Sequence, residues 1–299
     1  MILGVDVGYD NTKDSQRHIF KTAYTRKDPL VSDSNKITID GIDHWFGIGN
    51  PNTDIDKIEH PINEICFLSC IAMCGTNEYS IITGLPIIQC KEKKEKFRDT
   101  IMSYNGREII YKGRQINYRI KQVEICPQGA IVACSTNGST EDRNLIDIGS
   151  YTINVASLKY VNGTPRIVKT DTWYSGILTL YKNVIDEVNR RFDTTLEHRD
   201  AEKILSKGLC VDGEKQDIEF LKPIIREYLE PILSQYKANY DYRTVPTLLF
   251  GGGANLLYNA FVKSIKGTLL LPDPQFANAN SYFQYGVQKF DKYIVQNSR

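Results

Sequence analysis

The chain has 299 residues, 41% hydrophobic and 24% charged, a globular balance and more length than one simple core usually holds, so two domains are expected. A formal net charge of +1 argues against strong general attraction to nucleic acid or acidic lipid. With no run of about twenty apolar residues and an N-terminus that opens straight into a strand-like segment rather than a leader, a cytoplasmic protein without a membrane partner is expected.

The first element is the apolar run Met1 to Val5, which leads into Asp6-Val7-Gly8-Tyr9-Asp10-Asn11-Thr12-Lys13, a polar stretch, and an alternating run from His18 to Tyr24. This pattern predicts a strand, a tight turn and a returning strand. Gly8 lets the backbone approach a ligand, and the N–H groups of Gly8 to Thr12 can form one concavity suited to phosphate oxygens. Lys13 adds a positive charge, and Asp6 is expected to hold the waters around a Mg2+ ion. An ordinary hairpin turn rich in Asp, Asn and Gly has the same signature.

Lys36 to Phe46 reads as a hairpin turning at Asp40-Gly41. A helix is expected over Glu64 to Cys74, a buried strand over Tyr79 to Gly84, and a charged helix over Lys91 to Tyr104. The mixed run Lys91 to Lys96 reads as a solvated helix face, with a filament contact as the alternative. Arg107 to Arg119 reads as a hairpin turning at Lys112-Gly113-Arg114, an interaction flap or an insertion. Seven cysteines stand at 66, 70, 74, 90, 126, 134 and 210 without a Cys-x-x-Cys pair, which predicts reduced thiols. Cys66, Cys70 and Cys74 share one helical stripe and read as small buried side chains; a metal site there would need a fourth ligand, for which His60 is badly spaced. His18, His44, His60 and His198 stand apart from the glycine loops, which points away from a catalytic imidazole.

Val123 to Ala133 reads as a strand, a corner at Pro127 and a helix. Asn144 to Ala156 then repeats the opening arrangement: a strand ending in Asp147-Ile148-Gly149, a small polar turn of Ser150, Tyr151 and Thr152, and a returning strand. Two such hairpins imply two related halves that face each other. Further strands are expected at Thr152 to Leu158 and Arg166 to Thr170, and helices at Ile177 to Arg191, Glu197 to Leu205 and Ile218 to Tyr236. In the first of these helices Ile177, Leu180, Tyr181, Val184, Ile185 and Val188 follow helical spacing. Thr247 to Phe250 reads as a buried strand running into Gly251-Gly252-Gly253 and a helix start at Ala254-Asn255. Such a turn can lie flat against a purine and ribose. The closing helix, Asn278 to Val295, is expected to cross back to the first half.

Asp-x-Gly with Lys seven residues on, a second Asp-x-Gly near mid-chain and a strand ending in glycines resemble the actin, Hsp70 and sugar-kinase superfamily. These segments correspond to its phosphate 1, phosphate 2 and adenosine motifs. Ile81 to Pro86 before a charged helix and Pro272-Asp273-Pro274-Gln275-Phe276 before Asn280 to Gly286 are similar to segments of the bacterial plasmid-segregation actins of the ParM and Alp type. The resemblance implies an α/β, actin-like (ribonuclease H-like) fold: duplicated domains, each a mixed five-stranded sheet with flanking helices, around a nucleotide cleft. It places domain I at 1–143, domain II at 144–276, and a C-terminal helix at 277–299 that returns to domain I.

The resemblance implies an ATPase that assembles head to tail into a polar filament and moves plasmid DNA through an adaptor protein bound to a centromere-like site, without direct nucleic-acid contact. It implies ATP or GTP with Mg2+ as cofactors, held by Gly8, Tyr9, Asp10, Asn11, Thr12, Lys13, Gly149, Ser150, Tyr151, Thr152, Gly251, Gly252, Gly253 and Asn255. Asp6 and Asp147 hold the metal through water, and Gln128 aligns the attacking water. Many plasmid actins have Glu there; a neutral amide aligns water but does not take its proton. Two rivals are a small-molecule kinase of the same superfamily, for which no acceptor-side Asp declares itself, and a nucleotide-sensing scaffold without useful turnover.

Overall fold

The computed structural model describes residues 1–30, 35–51, 58, 60–132, 141–162 and 164–296. Cys134 and Ala133, the last residue of the helix expected after Pro127, lie outside these residues; Gln128 to Ile131 form a turn rather than the expected helix. The chain divides into two compact units, Met1–Ser139 with Phe276–Arg299, and Thr140–Gln275.

In the first unit, β1 (Ile2–Val7), without a polar side chain other than Asp6, is the central strand of a five-stranded mixed sheet. It pairs in parallel with β7 (Glu78–Leu85) and antiparallel with β2 (Asn11–Asp14), with β3 (Ile19–Lys21) and β10 (Arg119–Pro127) at the edges. Alternate side chains serve opposite faces. Leu3, Val5 and Ile81 join one cluster with Ile62, Ile65 and Phe67 of α1 (Pro61–Cys74), while Ile2 and Ile82 pack with Tyr282 and Tyr285 of the closing helix α7 (Ala277–Gln296). Helix α7 lies so close that a Cβ on Gly4 would stand 2.2 Å from the Ala279 carbonyl oxygen. Helix α1 starts at Pro61, three residues before the expected Glu64, with a cap the sequence did not advertise: His60 Nδ1 accepts the Ile62 N–H at 3.1 Å. Helix α2 spans Ile87–Met102, beginning directly after Pro86 rather than at Lys91.

The expected returning strand needs correction. It begins at Asn11, directly after the turn, rather than at His18, because the Gly8 N–H closes on the Asn11 carbonyl at 3.1 Å. The run from His18 to Tyr24 instead supplies β3 and the start of a separate strand, β4 (Ala23–Thr25). Strand β4 belongs to a second, antiparallel five-stranded sheet with β5 (Lys36–Ile39), β6 (Ile42–Pro51), β8 (Ile109–Tyr111) and β9 (Arg114–Ile116). Asp40 and Gly41 both take positive φ, 49° and 79°, as a two-residue hairpin turn requires. The turn after β8 likewise consists of Lys112 and Gly113, and Arg114 is already in β9. Pairing of β5 with β8 makes the second hairpin part of this sheet.

The second unit repeats the first sheet's order: β13 (Thr164–Trp173), β12 (Ile153–Val161), β11 (Arg143–Ile148), β16 (Thr247–Phe250) and β17 (Thr268–Leu270). Strand β11 takes the place of β1, antiparallel to β12 and parallel to β16. Helix α3 (Ile177–Phe192) buries Ile177, Leu180, Tyr181, Val184, Ile185 and Val188, the same six residues its periodicity selects. Next come α4 (Ala201–Lys207), the small hairpin β14 (Leu209–Val211) and β15 (Glu214–Gln216), α5 (Lys222–Asn239) and α6 (Ala254–Ser264). Among the described residues no helix is long and apolar enough to cross a membrane.

Candidate functional site

In the first unit Asp6 stands near the carboxyl end of β1, one position before the strand ends, and is 5% exposed. Its register partner on β2 is Lys13, whose Nζ lies 3.7 Å from Asp6 Oδ2. The Gln128 amide donates to Asp6 Oδ1 at 3.4 Å. Gln128 reaches this position because its own N–H bonds the Leu85 carbonyl at 2.8 Å, and Gly129, at φ +77°, donates to Asn278 Oδ1 at 3.0 Å. Asp6, Lys13 and Gln128 therefore form one cluster, and Gln128 also lines a small pocket with Val7, Tyr9, Gly84 and Pro86.

The turn itself is tightly built. A Cβ on Gly8 would lie 2.6 Å from the Asn11 carbonyl oxygen, so glycine is required by the hairpin closure. Asp10 is held by Lys21, whose Nζ donates to both carboxylate oxygens at 3.0 and 2.8 Å, and it accepts from Asn11 Nδ2 at 2.7 Å. The Thr12 side chain is fully buried, with its hydroxyl 3.0 Å from that of Thr22 and bonded to Cys66 Sγ at 3.2 Å. Thr12 thus faces the core, and any role at the turn falls to its backbone.

The second unit repeats the closure. Gly149 N–H bonds the Thr152 carbonyl at 2.9 Å, and a Cβ on Gly149 would stand 2.9 Å from that oxygen. Asp147, 4% exposed, lies opposite Asn154, so an asparagine replaces the lysine of the first hairpin. Asn154 Oδ1 accepts from Thr172 Oγ1 at 2.9 Å. Ser150 is half-buried and Tyr151 is 37% exposed. The first N–H groups of α3 brace this turn: Ile177 donates to the Gly149 carbonyl and Leu178 to that of Ser150, both at 3.0 Å. Gly176, just before α3, was not singled out by its sequence context. Its Cβ position lies 2.2 Å from the Ser150 carbonyl oxygen, a constraint visible only once the chain has folded back.

The glycine run joins this hairpin through sheet pairing. Asp147 sits opposite Phe250 in the parallel β11–β16 pair, which brings Gly251 beside the carboxylate. Gly251 takes φ +94°, and a Cβ there would be 2.4 Å from Asp147 Oδ1. Gly253 N–H bonds the Ile148 carbonyl at 3.0 Å. Gly252 has nothing within 4 Å of its Cβ position, and Asn255 is exposed on the first turn of α6.

Residues 4–130 match a family model described as the N-terminal domain of actin-like proteins, and residues 145–263 match one described as the C-terminal domain of the MreB-like archaeal actin homologue. Among solved structures, an archaeal actin homologue in complex with ADP is 18% identical at a TM-score of 0.82, covering 97% of this chain and all of that one (100%). A ParM of Clostridium botulinum, solved as a 15-stranded filament, is 18% identical at TM-score 0.76, with 96% and 99% covered. The Alp12 filament structure is 18% identical at TM-score 0.71, with 97% and 98% covered. No curated protein matches. Both units thus have the mixed five-stranded sheet with flanking helices of the actin-like fold. Both halves of the chain match family models of actin-like proteins, and its fold is that of the ParM and Alp12 structures.

Proposed function

We propose that this protein is a nucleotide-dependent, filament-forming ATPase whose two Asp-x-Gly hairpins take the phosphates of one nucleoside triphosphate. The observation that carries this reading is the duplicated closure, Gly8 on Asn11 and Gly149 on Thr152, each beside a buried aspartate at the end of its central strand. A shared topology alone supports no activity. Two turns built on the same steric requirement and carrying the same acid support a common ligand.

In this reading the backbone N–H groups of both turns hold phosphate oxygens, Lys13 adds charge, and Gly252 leaves room for the base and ribose. Gln128 aligns water without accepting its proton. Asp6 and Asp147 would hold Mg2+ through its waters. The fit is reasonable, because the Asp6 carboxylate meets Lys13 and Gln128 at 3.7 and 3.4 Å, loose contacts that water can replace. Bound there, the ion offsets phosphate charge. The ADP complex of the archaeal homologue supports nucleotide as the ligand, and the ParM and Alp12 filaments support self-association.

Head-to-tail contacts that do not close into a ring produce a polar filament. Loss of the γ-phosphate removes a ligand common to both hairpins and weakens it. Movement of plasmid DNA through an adaptor at a centromere-like site is the role we assign, and a net charge of +1 favours an indirect link to DNA. Light scattering with ATP, GTP, ADP or no nucleotide, run beside phosphate release, tests the central reading. Scattering that rises with triphosphate and decays as phosphate appears is expected. Turnover only with an added acceptor, or no turnover, overturns it.

A further inference from the structure

At the end of β2 remote from the Gly8 turn, the side chains of Asp14, His18, Cys70 and Cys74 meet, and the proposed ATPase reaction uses none of them. Thr12 and Asp14, two apart on one face of β2, look onto the cysteine stripe of α1. Thr12 meets Cys66, as described, and Asp14 meets the last two turns of the helix: its carboxylate hydrogen-bonds the Cys70 thiol, and Cys74 lies beside it. Asp14 is fully buried, and its two oxygens are used differently. Oδ1 accepts the N–H groups of Gln16 and His18, at 2.9 and 3.0 Å. Oδ2 faces His18 Nδ1 at 2.8 Å. The donor atoms of Asp14, His18 and Cys74 all lie within 4.8 Å of one another.

We propose that Asp14, His18 and Cys74 form a binding site for a borderline-soft divalent metal ion of the zinc class. Carboxylate, imidazole and thiolate are the donor types such an ion takes, whereas magnesium and calcium ask for oxygen alone. One carboxylate and one thiolate neutralise a dication, so the buried site acquires no net charge. Water completes the coordination on the side of His18, whose side chain is 32% exposed. Tetrahedral zinc sets its donors roughly 3.3–3.8 Å apart, given bonds of about 2.0–2.3 Å. His18 Nδ1 and Asp14 Oδ2 must therefore separate by a few tenths of an ångström and Cys74 must move inward, adjustments within reach of side-chain torsions.

The surroundings are those of a supported site. The two N–H bonds on Oδ1 fix the carboxylate plane and leave Oδ2 to ligate, while the Cys70 thiol donates to the same group. Binding breaks the His18 to Asp14 hydrogen bond and releases the Cys74 thiol proton to solvent as the metal–sulfur bond forms; no oxidant or reductant is involved. Bound metal would clamp the β2–β3 turn to the end of α1. The plainer reading, in which His18 only pairs with Asp14 to shape the turn, predicts no affinity for metal.

The test is titration of chelator-stripped, nucleotide-free protein with Co2+ and then Zn2+. Stoichiometric thiolate-to-cobalt charge-transfer absorption, its displacement by Zn2+, and a rise in Tm with Zn2+ are expected. Cys74→Ser and His18→Gln should each weaken Zn2+ binding by at least about tenfold, since losing even a partner that only supports a ligand costs that much. Cys210→Ser, at an exposed cysteine of the other unit, should leave it unchanged. Absence of the thiolate band, or a band that survives Cys74→Ser and vanishes in Cys210→Ser, overturns the proposal. Circular dichroism of each variant separates lost ligation from lost folding.

Discussion

Gln128 donates its side-chain amide to Asp6 at 3.4 Å across a sequence separation of 122 residues. The contact exists because β10 runs parallel to β7 and β7 parallel to β1, so the end of β10 arrives beside the end of β1. A bond of that length is weak enough for water or a ligand to displace it. Gln128→Ala should therefore slow phosphate release by roughly ten- to a hundredfold, the scale of losing a water-positioning group. Nucleotide affinity should change much less. Single-turnover phosphate release beside a fluorescent-nucleotide titration measures both, and equal losses in the two would remove Gln128 from its role.

The two aspartates differ in their cross-strand neighbours, Lys13 for Asp6 and Asn154 for Asp147. Asp147→Ala should abolish phosphate release with the far-ultraviolet dichroism of the native fold. Asp6→Ala should do the same and in addition destabilise the first unit by about 1–3 kcal/mol, because it leaves the largely buried Lys13 ammonium without its carboxylate. Urea unfolding of both variants decides the comparison. Unchanged turnover in either would show that its carboxylate does not serve the reaction.

Much of this architecture could be read from local signals, and what escaped was set by pairing at a distance. The buried face of helix α3 was legible to the residue because one face is buried and the other solvated, although the helix runs on to Phe192, one residue past the expected Arg191. The turns at Asp6-Val7-Gly8 and Asp147-Ile148-Gly149 were legible because their glycines answer a local steric demand. The second sheet of the first unit was not, since β5 pairs with β8 across some seventy positions and nothing in either strand names its partner. The hairpin β14–β15 carries a turn signal in Asp212-Gly213, both with positive φ, but its three-residue strands are too short to show an alternating pattern. Among the site residues, Thr12 shows the limit of reading a loop from composition. Alternation along β2 turns its hydroxyl inward, while Lys13, the next residue, faces Asp6.

Glycines at the turns fall into two kinds, which substitution should separate. A methyl group on Gly8 or Gly149 would meet a backbone carbonyl oxygen at 2.6 or 2.9 Å, and backbone yields poorly. Gly8→Ala and Gly149→Ala should each cost about 1–3 kcal/mol in stability and weaken nucleotide binding with it. Gly252 has open space where its Cβ would stand, so Gly252→Ala should leave Tm nearly unchanged. If that space is where the ribose or base lies, nucleotide affinity should nevertheless fall. A Gly252→Ala protein of native stability and native affinity would argue that the glycine run is only a strand-to-helix connection.

The closing helix is held to its sheet partly by charge, which makes its docking sensitive to pH. Glu124, on β10, receives Lys94 of α2 at 2.8 Å and Lys289 of α7 at 2.7 Å, one on each carboxylate oxygen. Burial alone would favour the protonated acid, but the hydrogen bonds from Lys289 and Lys94 outweigh it and hold the Glu124 carboxyl below its ordinary value. A carboxylate depressed on folding contributes stability above its unfolded value and loses that contribution as pH falls through the folded one. The wild-type protein should therefore lose stability on acidification below the ordinary glutamate range. Glu124→Gln should remove part of that dependence and destabilise the protein at neutral pH by only about 1 kcal/mol, since both lysines are more than a third exposed and regain water. Urea unfolding at neutral and acid pH, compared between the two proteins, reads the difference. Parallel curves at both pH values would mean that the paired lysines contribute nothing to seating α7 on β1 and β7.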